Sequence, residues 1–460
     1  MDLSKVVEFA GNNGDVFTAQ LVNFLRIKSI STDPKFASNV HEAADWLVAE
    51  LKRIGLTNVV ANETAGHPVV TAELIGGSDR PTVLVYGHYD VQPPDPMDLW
   101  DSPPFEPDIK DGKIFARGAC DDKGQVFMHL KAIESYLSTG NEVPVNVKLV
   151  IEGEEESGSE HLAAFLEANR KLLDADVVVI SDTAMFGDGI PSITTGLRGL
   201  AYVQVELTGP NRDLHSGVYG GAVDNPANAL ARMIAALHDD NNRVTIDGFY
   251  DDVLELSEDE RATFRDLPFD ADEWKRSIGI EDVRTERGYN ILEAITARPT
   301  LDVNGLWSGY QGDGAKTVLP ATAAAKISMR IVPGQDPDTI AELARLHFVK
   351  HAPSTMKLEF HKLHGGKPVL VNTAMPAMKA AARAMHDVYN REPYFTREGG
   401  SIPVVADFKE ILGLDSVLLG FGLNSDAIHS PNEHFGLDRF SQGIETIIRF
   451  MHHFGHPEDK

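Results

Sequence analysis

Strand-like segments rich in Val, Leu and Ile alternate with helix-like segments through the first 195 residues, and this alternation strongly limits the folds open to the chain. Strands are predicted at 69–75, 82–87, 146–151 and 176–181, and the last three have the composition of strands buried on both faces. The alternation predicts an α/β fold with a mostly parallel sheet and helices on both faces. Such sheets bind ligands beyond the carboxyl ends of their strands, so we expect the chemistry there.

The pattern changes at Gly196, as expected of a chain of 460 residues, which is too long for one ordinary core. Residues 200–207 alternate apolar and polar side chains, which predicts a sheet with one solvent-facing side. A helical pattern at 376–389 and a strand pattern at 416–420 then restore the alternation of the first part. We therefore predict an α/β domain formed by residues 1–195 and 373–460, with an α+β domain inserted at residues 196–372.

Charge and composition make several classes of partner unfavourable. The chain has 42 Lys and Arg residues against 69 Asp and Glu residues, and its net charge of −27 repels nucleic acid and anionic membranes. Its apolar runs are shorter than the roughly 20 residues that span a bilayer, and its first residues lack a secretory-signal pattern. The single cysteine, Cys120, cannot form an internal disulfide. These features predict a soluble cytoplasmic protein.

The predicted strand 82–87 leads directly into His88, Tyr89 and Asp90. A spacing of two residues places His88 and Asp90 on the same side of an extended chain. A carboxylate beside an imidazole holds a metal-binding histidine in one tautomer. The alternative is a His-Asp pair that caps a loop, and this motif alone does not decide between them.

Two adjacent acids, Asp121 and Asp122, lie in a glycine-bracketed turn before a predicted helix. Adjacent carboxylates repel each other unless a cation lies between them or one of them caps the helix. The turn therefore predicts either a cation site, or Asp122 as the helix N-cap with Asp121 in solvent.

Further acids and a histidine follow other predicted strands. Strand 146–151 is followed by Glu152 and the run Glu154, Glu155 and Glu156; strand 176–181 by Asp182; strand 416–420 by Asp426, His429 and Glu433. A parallel sheet would bring these clusters to one cleft. Imidazoles and carboxylates without a thiolate suit zinc or manganese in a hydrolytic site. Three ligand carboxylates and a hydroxide nearly balance two dications, so the charges favour two ions.

Three strings resemble those of the dinuclear metallopeptidases typified by carnosinases and cytosolic nonspecific dipeptidases, which are relatives of aminoacylases and desuccinylases. The strings are GHYDVQP at 87–93, GACDDKG at 118–124 and EESGS at 155–159. The resemblance extends over essentially the whole chain. It implies a metal-dependent dipeptidase that hydrolyses short peptides with a free C-terminal carboxylate, through a hydroxide bridging two Zn or Mn ions.

The resemblance also implies roles for individual residues. It implies that His88 and Asp182 bind one metal ion, that Glu156 and His429 bind the other, and that Asp121 bridges both. Asp90 would orient His88, and Glu155 would be the general base. The peptide bond between Asp121 and Asp122 would be cis.

Substrate contacts are implied mostly in the inserted domain, which would act as a lid and in dimerisation. His215 resembles the family histidine that reaches into the partner subunit's site and stabilises the oxyanion, so the resemblance implies a homodimer. Arg330 would bind the substrate's C-terminal carboxylate, and Thr317 and Ser401 match further contacts. Without the resemblance, His215 is interpreted as a loop histidine and Arg330 as a surface residue.

Two other functions remain open at this point. An N-acyl amino-acid deacylase or desuccinylase would share the metal ligands, although the long insert argues against it. A non-catalytic metal-binding or scaffold protein would not need the predicted base Glu155 or the orienting Asp90. The histidines near the C-terminus, His452, His453 and His456, are interpreted as a solvated tail.

Overall fold

This computed structural model describes residues 2–400 and 402–457. The chain divides into two compact units. Unit 1 comprises Met1–Thr195, Val371–Thr396 and Asp407–Lys460, and unit 2 comprises Gly196–Leu370 and Arg397–Ala406. The sequence predicted an insert at 196–372, which ends two residues later than the first segment of unit 2. It also assigned the segment 397–406 to the α/β domain instead of the insert. The segment 397–406 belongs to unit 2 because it contacts other residues of that unit; Arg397, for example, forms an ion pair with Glu260.

The β-strands are numbered in chain order. They are β1 (Thr57–Asn62), β2 (Val69–Leu74), β3 (Thr82–His88), β4 (Asp108–Lys110), β5 (Lys113–Phe115), β6 (Asn146–Glu152), β7 (Val177–Ile180), β8 (Ser192–Leu197), β9 (Gly199–Thr208), β10 (Leu214–His215), β11 (Thr300–Ser308), β12 (Val318–Leu319), β13 (Thr322–Ile331), β14 (Lys357–Gly366), β15 (Val369–Leu370), β16 (Tyr394–Glu398), β17 (Ser416–Leu418) and β18 (His434–Gly436).

The α-helices are labelled in the same way. They are α1 (Leu3–Asn12), α2 (Gly14–Leu25), α3 (Ala37–Ile54), α4 (Lys123–Ser138), α5 (Leu162–Ala168), α6 (Ser216–Tyr219), α7 (Pro226–Ala235), α8 (Glu258–Asp266), α9 (Ala271–Ser277), α10 (Ile291–Thr296), α11 (Pro337–His351), α12 (Pro376–Tyr389), α13 (Pro403–Asp407) and α14 (Leu437–Gly455). Among the residues described, no helix is both long and apolar enough to cross a membrane.

The sheet of unit 1 has a parallel centre. Its strand order is β1-β2-β6-β3-β7-β17-β8, and β6, β3, β7 and β17 are parallel to one another. The flanking pairs β1-β2, β2-β6 and β17-β8 are antiparallel. Helix α3 packs on β1 and β2, α4 on β3, and α12 on β17. The predicted α/β class is confirmed, and the carboxyl ends of the parallel strands lie at one edge of the sheet.

Unit 2 contains an antiparallel sheet in the order β11-β13-β9-β14. Along β9, buried residues alternate with partly exposed ones, because helices α7 and α11 cover one face of the sheet. The core on that face includes Val203, Val205 and Leu207. The prediction of a sheet with one solvent-facing side is therefore confirmed.

The histidines near the C-terminus are not a solvated tail. Helix α14 extends to Gly455 and includes His452 and His453. His453 is buried, and its Nε2 lies 2.8 Å from Oδ2 of Asp387 on α12. The prediction was wrong because the partner that buries this end of α14 lies on a helix 66 residues away in the sequence.

Candidate metal centre

The ends of the parallel strands in unit 1 deliver most of the predicted metal-binding side chains. His88 is the last residue of β3, Asp182 follows β7, and Glu156 lies in a 3-10 turn after β6. Asp121 immediately precedes the N-cap of α4. His429 follows the 3-10 turn that comes after β17. Because β3, β6, β7 and β17 are parallel, their carboxyl ends meet at the same edge of the sheet.

Two groups of ligand atoms share Asp121. One group consists of His88, Asp121 and Asp182, the other of Asp121, Glu156 and His429, and within each group the atoms lie within 4.8 Å of one another. His88 Nε2 lies 3.1 Å from Asp121 Oδ1 and 3.8 Å from Asp182 Oδ2. His429 Nε2 lies 2.8 Å from Asp121 Oδ2 and 3.3 Å from Glu156 Oε2. The two carboxylate oxygens of Asp121 therefore face different groups.

The chemistry of these residues fits two divalent cations. Two imidazoles and three carboxylates are ligands that zinc and manganese accept. Glu156 Oε1 is buried without a hydrogen-bond partner among the described residues. Burial and the neighbouring Asp122 and Asp121 carboxylates raise the pKa of Asp182 well above its usual value. Cations between these acids would relieve both the repulsion and the unsatisfied oxygen.

Both histidines lie against these acids. Burial opposes ionisation of His88, but hydrogen bonds to Asp121 and Asp90 outweigh it and raise its pKa well above the usual value. Hydrogen bonds to Asp121 and Glu156 raise the pKa of His429 to about 10. The centre therefore attracts positive charge strongly, and a divalent cation competes with protons for the same nitrogens.

Asp90 connects the His88 loop with the turn that carries Glu155 and Glu156. It is buried, and its Oδ1 lies 3.4 Å from His88 Nδ1. The backbone N–H groups of Glu155 and Glu156 donate to Asp90 Oδ1 and Oδ2 at 3.2 and 3.0 Å, and Ser31 Oγ donates to Oδ2 at 2.6 Å. The sequence indicated the proximity to His88 but neither the contacts with the glutamate turn nor Ser31, which is 59 residues away.

The three consecutive glutamates have different environments. Glu154 lies 3.0 Å from His161 Nδ1 and belongs to neither ligand group. Glu156 belongs to the group with His429, and Gln92 Nε2 donates to its Oε2 at 2.8 Å. Burial, together with the neighbouring carboxylates of Glu156 and Asp121, raises the pKa of Glu155 to about 7, although His88 acts in the opposite direction. A carboxyl group with a pKa near neutrality can both accept and return a proton.

Asp121 is not the solvated acid of the alternative interpretation. It is only 8% exposed, and its peptide bond to Asp122 is cis, as the resemblance predicted. Asp122 occupies the N-cap position of α4 without a capping hydrogen bond from its side chain. Instead, Asp122 Oδ2 accepts a hydrogen bond from the His88 backbone N–H at 3.3 Å. Both acids therefore belong to the His88 region.

Three of the predicted substrate residues, His215, Thr317 and Arg330, belong to unit 2. His215 is exposed at the end of β10, and its Nδ1 accepts a hydrogen bond from the Gly217 N–H at 3.0 Å. Thr317 is adjacent to it, since β10 pairs with β12 and the Thr317 carbonyl accepts from the Ser216 N–H. Arg330 is partly buried on β13, where it pairs with Leu200 of β9. Ser401 lies outside the described residues.

A third group of possible ligands lies on the sheet of unit 2. It consists of Glu206 on β9 with Glu359 and His361 on β14. The group is partly exposed, and Lys357 forms an ion pair with Glu359. The ammonium group already compensates part of the negative charge there.

Comparisons with known proteins relate nearly the whole chain to metal-dependent peptidases. The model of one family, described as Peptidase family M20/M25/M40, matches residues 84–453. The chain is 33% identical over 467 residues to the Cys-Gly metallodipeptidase dug1 of Schizosaccharomyces pombe, with 98% of each chain covered. It is similar to the crystal structure of human carnosine dipeptidase 1, with a TM-score of 0.83, 29% identity and 99% of each chain covered. It is also similar to the metallo-carboxypeptidase Sso-CP2 from Sulfolobus solfataricus, with a TM-score of 0.83, 35% identity, and 95% of this chain and 99% of that chain covered.

Proposed function

The chain belongs to peptidase family M20/M25/M40, and we propose that it is a metal-dependent dipeptidase acting on short peptides with a free C-terminal carboxylate. The observation that carries the proposal is the pair of ligand groups that share Asp121. Similarity to a Cys-Gly metallodipeptidase and to carnosine dipeptidase supports dipeptides as the substrate class. The family resemblance predicted from the three sequence strings is confirmed.

Two divalent ions, zinc or manganese, are proposed as cofactors. His88 and Asp182 would hold one ion, Glu156 and His429 the other, and Asp121 would hold both, in agreement with the direction of its two oxygens. When bound, the ions would supply Lewis-acid polarisation of the scissile carbonyl and of the attacking water. Asp90 would keep His88 in the tautomer whose Nε2 is free to bind an ion.

Glu155 is proposed as the general base. It would accept the proton of the attacking water and then donate it to the leaving amine. Its burial supports this role, because a carboxyl group whose pKa is raised to about 7 is a stronger base than an exposed glutamate. Its neighbour Glu154 is engaged by His161.

Unit 2 would supply substrate contacts and the dimer interface. Arg330 would bind the C-terminal carboxylate of the peptide, with Thr317 and Ser401 as further contacts and the unit acting as a lid. His215 would act in the site of the partner subunit, in agreement with its exposure at the end of β10. The edge strand β11 exposes Val303, Leu306 and Trp307, which supports unit 2 as the surface for a second copy.

Mixing two inactive variants tests whether His215 acts in the partner's site. His215→Ala is expected to lower turnover by ~10²–10³-fold, because an oxyanion donor is lost. A mixed dimer contains one His215→Ala subunit and one Glu155→Gln subunit. One of its two sites then combines Glu155 of the first subunit with His215 of the second. Random exchange of subunits should then restore about a quarter of wild-type turnover, measured after co-refolding equal amounts of the two variants.

A matched control for this mixture replaces His215→Ala with the double variant E155Q/H215A, which should restore nothing. Absence of recovery, although size-exclusion chromatography of tagged subunits shows mixed dimers, would mean that His215 acts in its own subunit or not at all. A monomeric wild-type protein would contradict the dimer.

A second candidate substrate class is longer peptides, because the chain is 35% identical to a metallo-carboxypeptidase. N-acyl amino acids remain the alternative suggested by the shared ligand set. We propose a cytoplasmic location, which a buried free cysteine fits.

A substrate panel tests the proposed function. The protein, dialysed against a chelator, should be inactive and should regain hydrolysis of Ala-Ala, Cys-Gly and β-Ala-His when Zn²⁺ or Mn²⁺ is added, because the ions polarise carbonyl and water. Ala-Ala-Ala and N-acetylalanine should be hydrolysed at least tenfold more slowly by the same preparation. Faster hydrolysis of either would assign the enzyme to the second candidate or to the deacylases, and equal activity without metal would refute metal dependence.

A further inference from the structure

Glu433 is a buried carboxylate whose two oxygens accept four hydrogen bonds from one loop. Its Oε1 accepts from the backbone N–H groups of Cys120 and Asp121 at 3.0 and 3.1 Å. Its Oε2 accepts from the Gly118 N–H at 3.1 Å and from Arg117 Nη1 at 2.7 Å. The Glu433 side chain is 0% exposed. A carboxylate is the side chain that can satisfy four converging donors without placing a hydrogen atom among them.

The backbone fixes where this carboxylate lies. Strand β18 pairs with β5, with His434 opposite Phe115, and the Ala116 N–H donates to the Glu433 carbonyl at 3.0 Å. Glu433 is therefore held beside the start of the loop 116–121, and its side chain extends along that loop. Within the loop, Gly118 has a φ of 83°, a left-handed conformation that a glycine adopts without strain.

The same residue is close in sequence to another member of the metal centre. His429 precedes Glu433 by four residues in a segment where Ala427, His429 and Asn432 all have positive φ. Within the segment the Ser430 N–H donates to the Ala427 carbonyl, and the Asn432 side chain binds the backbone of residues 99–101. One end is held by the bidentate ion pair of Asp426 with Arg439, at 2.6 and 2.7 Å, and the other by Glu433.

A third loop is connected through Arg117. Its Nη1 contacts Glu433, and its Nη2 donates to the carbonyl of Pro93 at 3.2 Å. Residues 87–93 carry His88 and Asp90. The guanidinium group, which is 1% exposed, thus bridges Glu433 and the end of the His88 loop.

We propose that Glu433 is a positioning residue that sets the distance between Asp121 and His429, and thereby the affinity of the centre for its ions. The proposal rests on the function proposed above. Glu433 accepts a hydrogen bond from the Asp121 N–H and lies at the end of the His429 loop, directly before β18. Loss of a carboxylate that orients ligands typically weakens metal binding by ~10–100-fold. Neither the family strings nor the two ligand groups include Glu433.

The test is the variant Glu433→Gln, which keeps the side-chain size but turns an NH₂ group toward backbone donors. Titration with Zn²⁺ against a chromophoric chelator should show two ions bound with affinity reduced by ~10–100-fold. With saturating Zn²⁺, kcat should return to near the wild-type value with an unchanged KM for the dipeptide. A purely structural role would not produce this dependence on metal concentration.

Glu50→Gln is the matched control, since Glu50 is a buried carboxylate of unit 1 that binds Arg53 and Lys131 rather than the loop 116–121. It should lower the melting temperature while leaving Zn²⁺ affinity unchanged. Equal Zn²⁺ affinity of Glu433→Gln and wild type would overturn the proposal. If Glu433→Gln does not fold, Arg117→Met replaces it, and unchanged affinity there overturns the proposal as well. A wild-type protein that binds no Zn²⁺ would instead refute the proposed function.

Discussion

Glu155→Gln is expected to bind both ions as the wild type does and to lose dipeptide turnover by ~10²–10⁴-fold, the usual contribution of a general base. The amide has nearly the shape of the carboxylate but cannot accept the proton of the attacking water. Burial raises the pKa of the Glu155 carboxyl group to about 7, whereas the amide of glutamine does not take up a proton in this range. Steady-state kinetics at saturating metal, together with elemental analysis of the same samples, would measure both properties.

The adjacent Glu154 provides a control that the chain itself offers. Glu154→Gln removes a carboxylate from the residue next to Glu155 in the sequence. Glu154, however, contacts His161 and belongs to neither ligand group. This variant should keep turnover within about threefold of wild type, since the lost contact with His161 lies outside both ligand groups. A large loss in Glu154→Gln with little loss in Glu155→Gln would mean that the base is assigned one residue too late.

Asp121→Ala is expected to lose both ions, and with them essentially all metal-dependent turnover. Asp121 is the member common to both ligand groups, and its two oxygens face His88 and His429 separately. Its removal also takes away the partner of both imidazoles, so each remaining group has only two ligands. Elemental analysis after gel filtration should fall from two ions per chain in the wild type to about zero.

His429→Ala distinguishes a shared ligand from a ligand of one ion. It leaves the group of His88, Asp121 and Asp182 complete, so about one ion per chain should remain. If Asp121→Ala keeps one ion, Asp121 does not bridge. Retention of both ions in His429→Ala would exclude His429 as a required ligand.

Local patterns in the sequence were sufficient for the main elements. The predicted strand 82–87 and the helix 376–389 correspond to β3 and α12. Their apolar periodicity reflects burial, which local composition records. The antiparallel edges of the unit 1 sheet and the segment 397–406 of unit 2 were not predicted, because strand pairing and segment placement depend on residues distant in the chain.

Some contacts around the metal centre were likewise not predicted from the sequence. The sequence analysis assigned no function to Gln92 of the string 87–93, although its side chain donates a hydrogen bond to Glu156. Ser31 and Glu433 reach Asp90 and Asp121 across 59 and 312 residues. No spacing rule connects such positions, since each is specified only by the packing of distant loops.

The sequence by itself determined the kinds of side chain available at the strand ends, because a buried strand followed by His88 or Asp182 places that residue at the edge of a parallel sheet. Only the tertiary structure decided that the two oxygens of Asp121 face different histidines and that Glu154 contacts His161 and belongs to neither group. The physical reason is range: periodicity and composition report burial along a few residues, whereas the direction of a carboxylate is set by hydrogen bonds from segments that meet only in the folded chain.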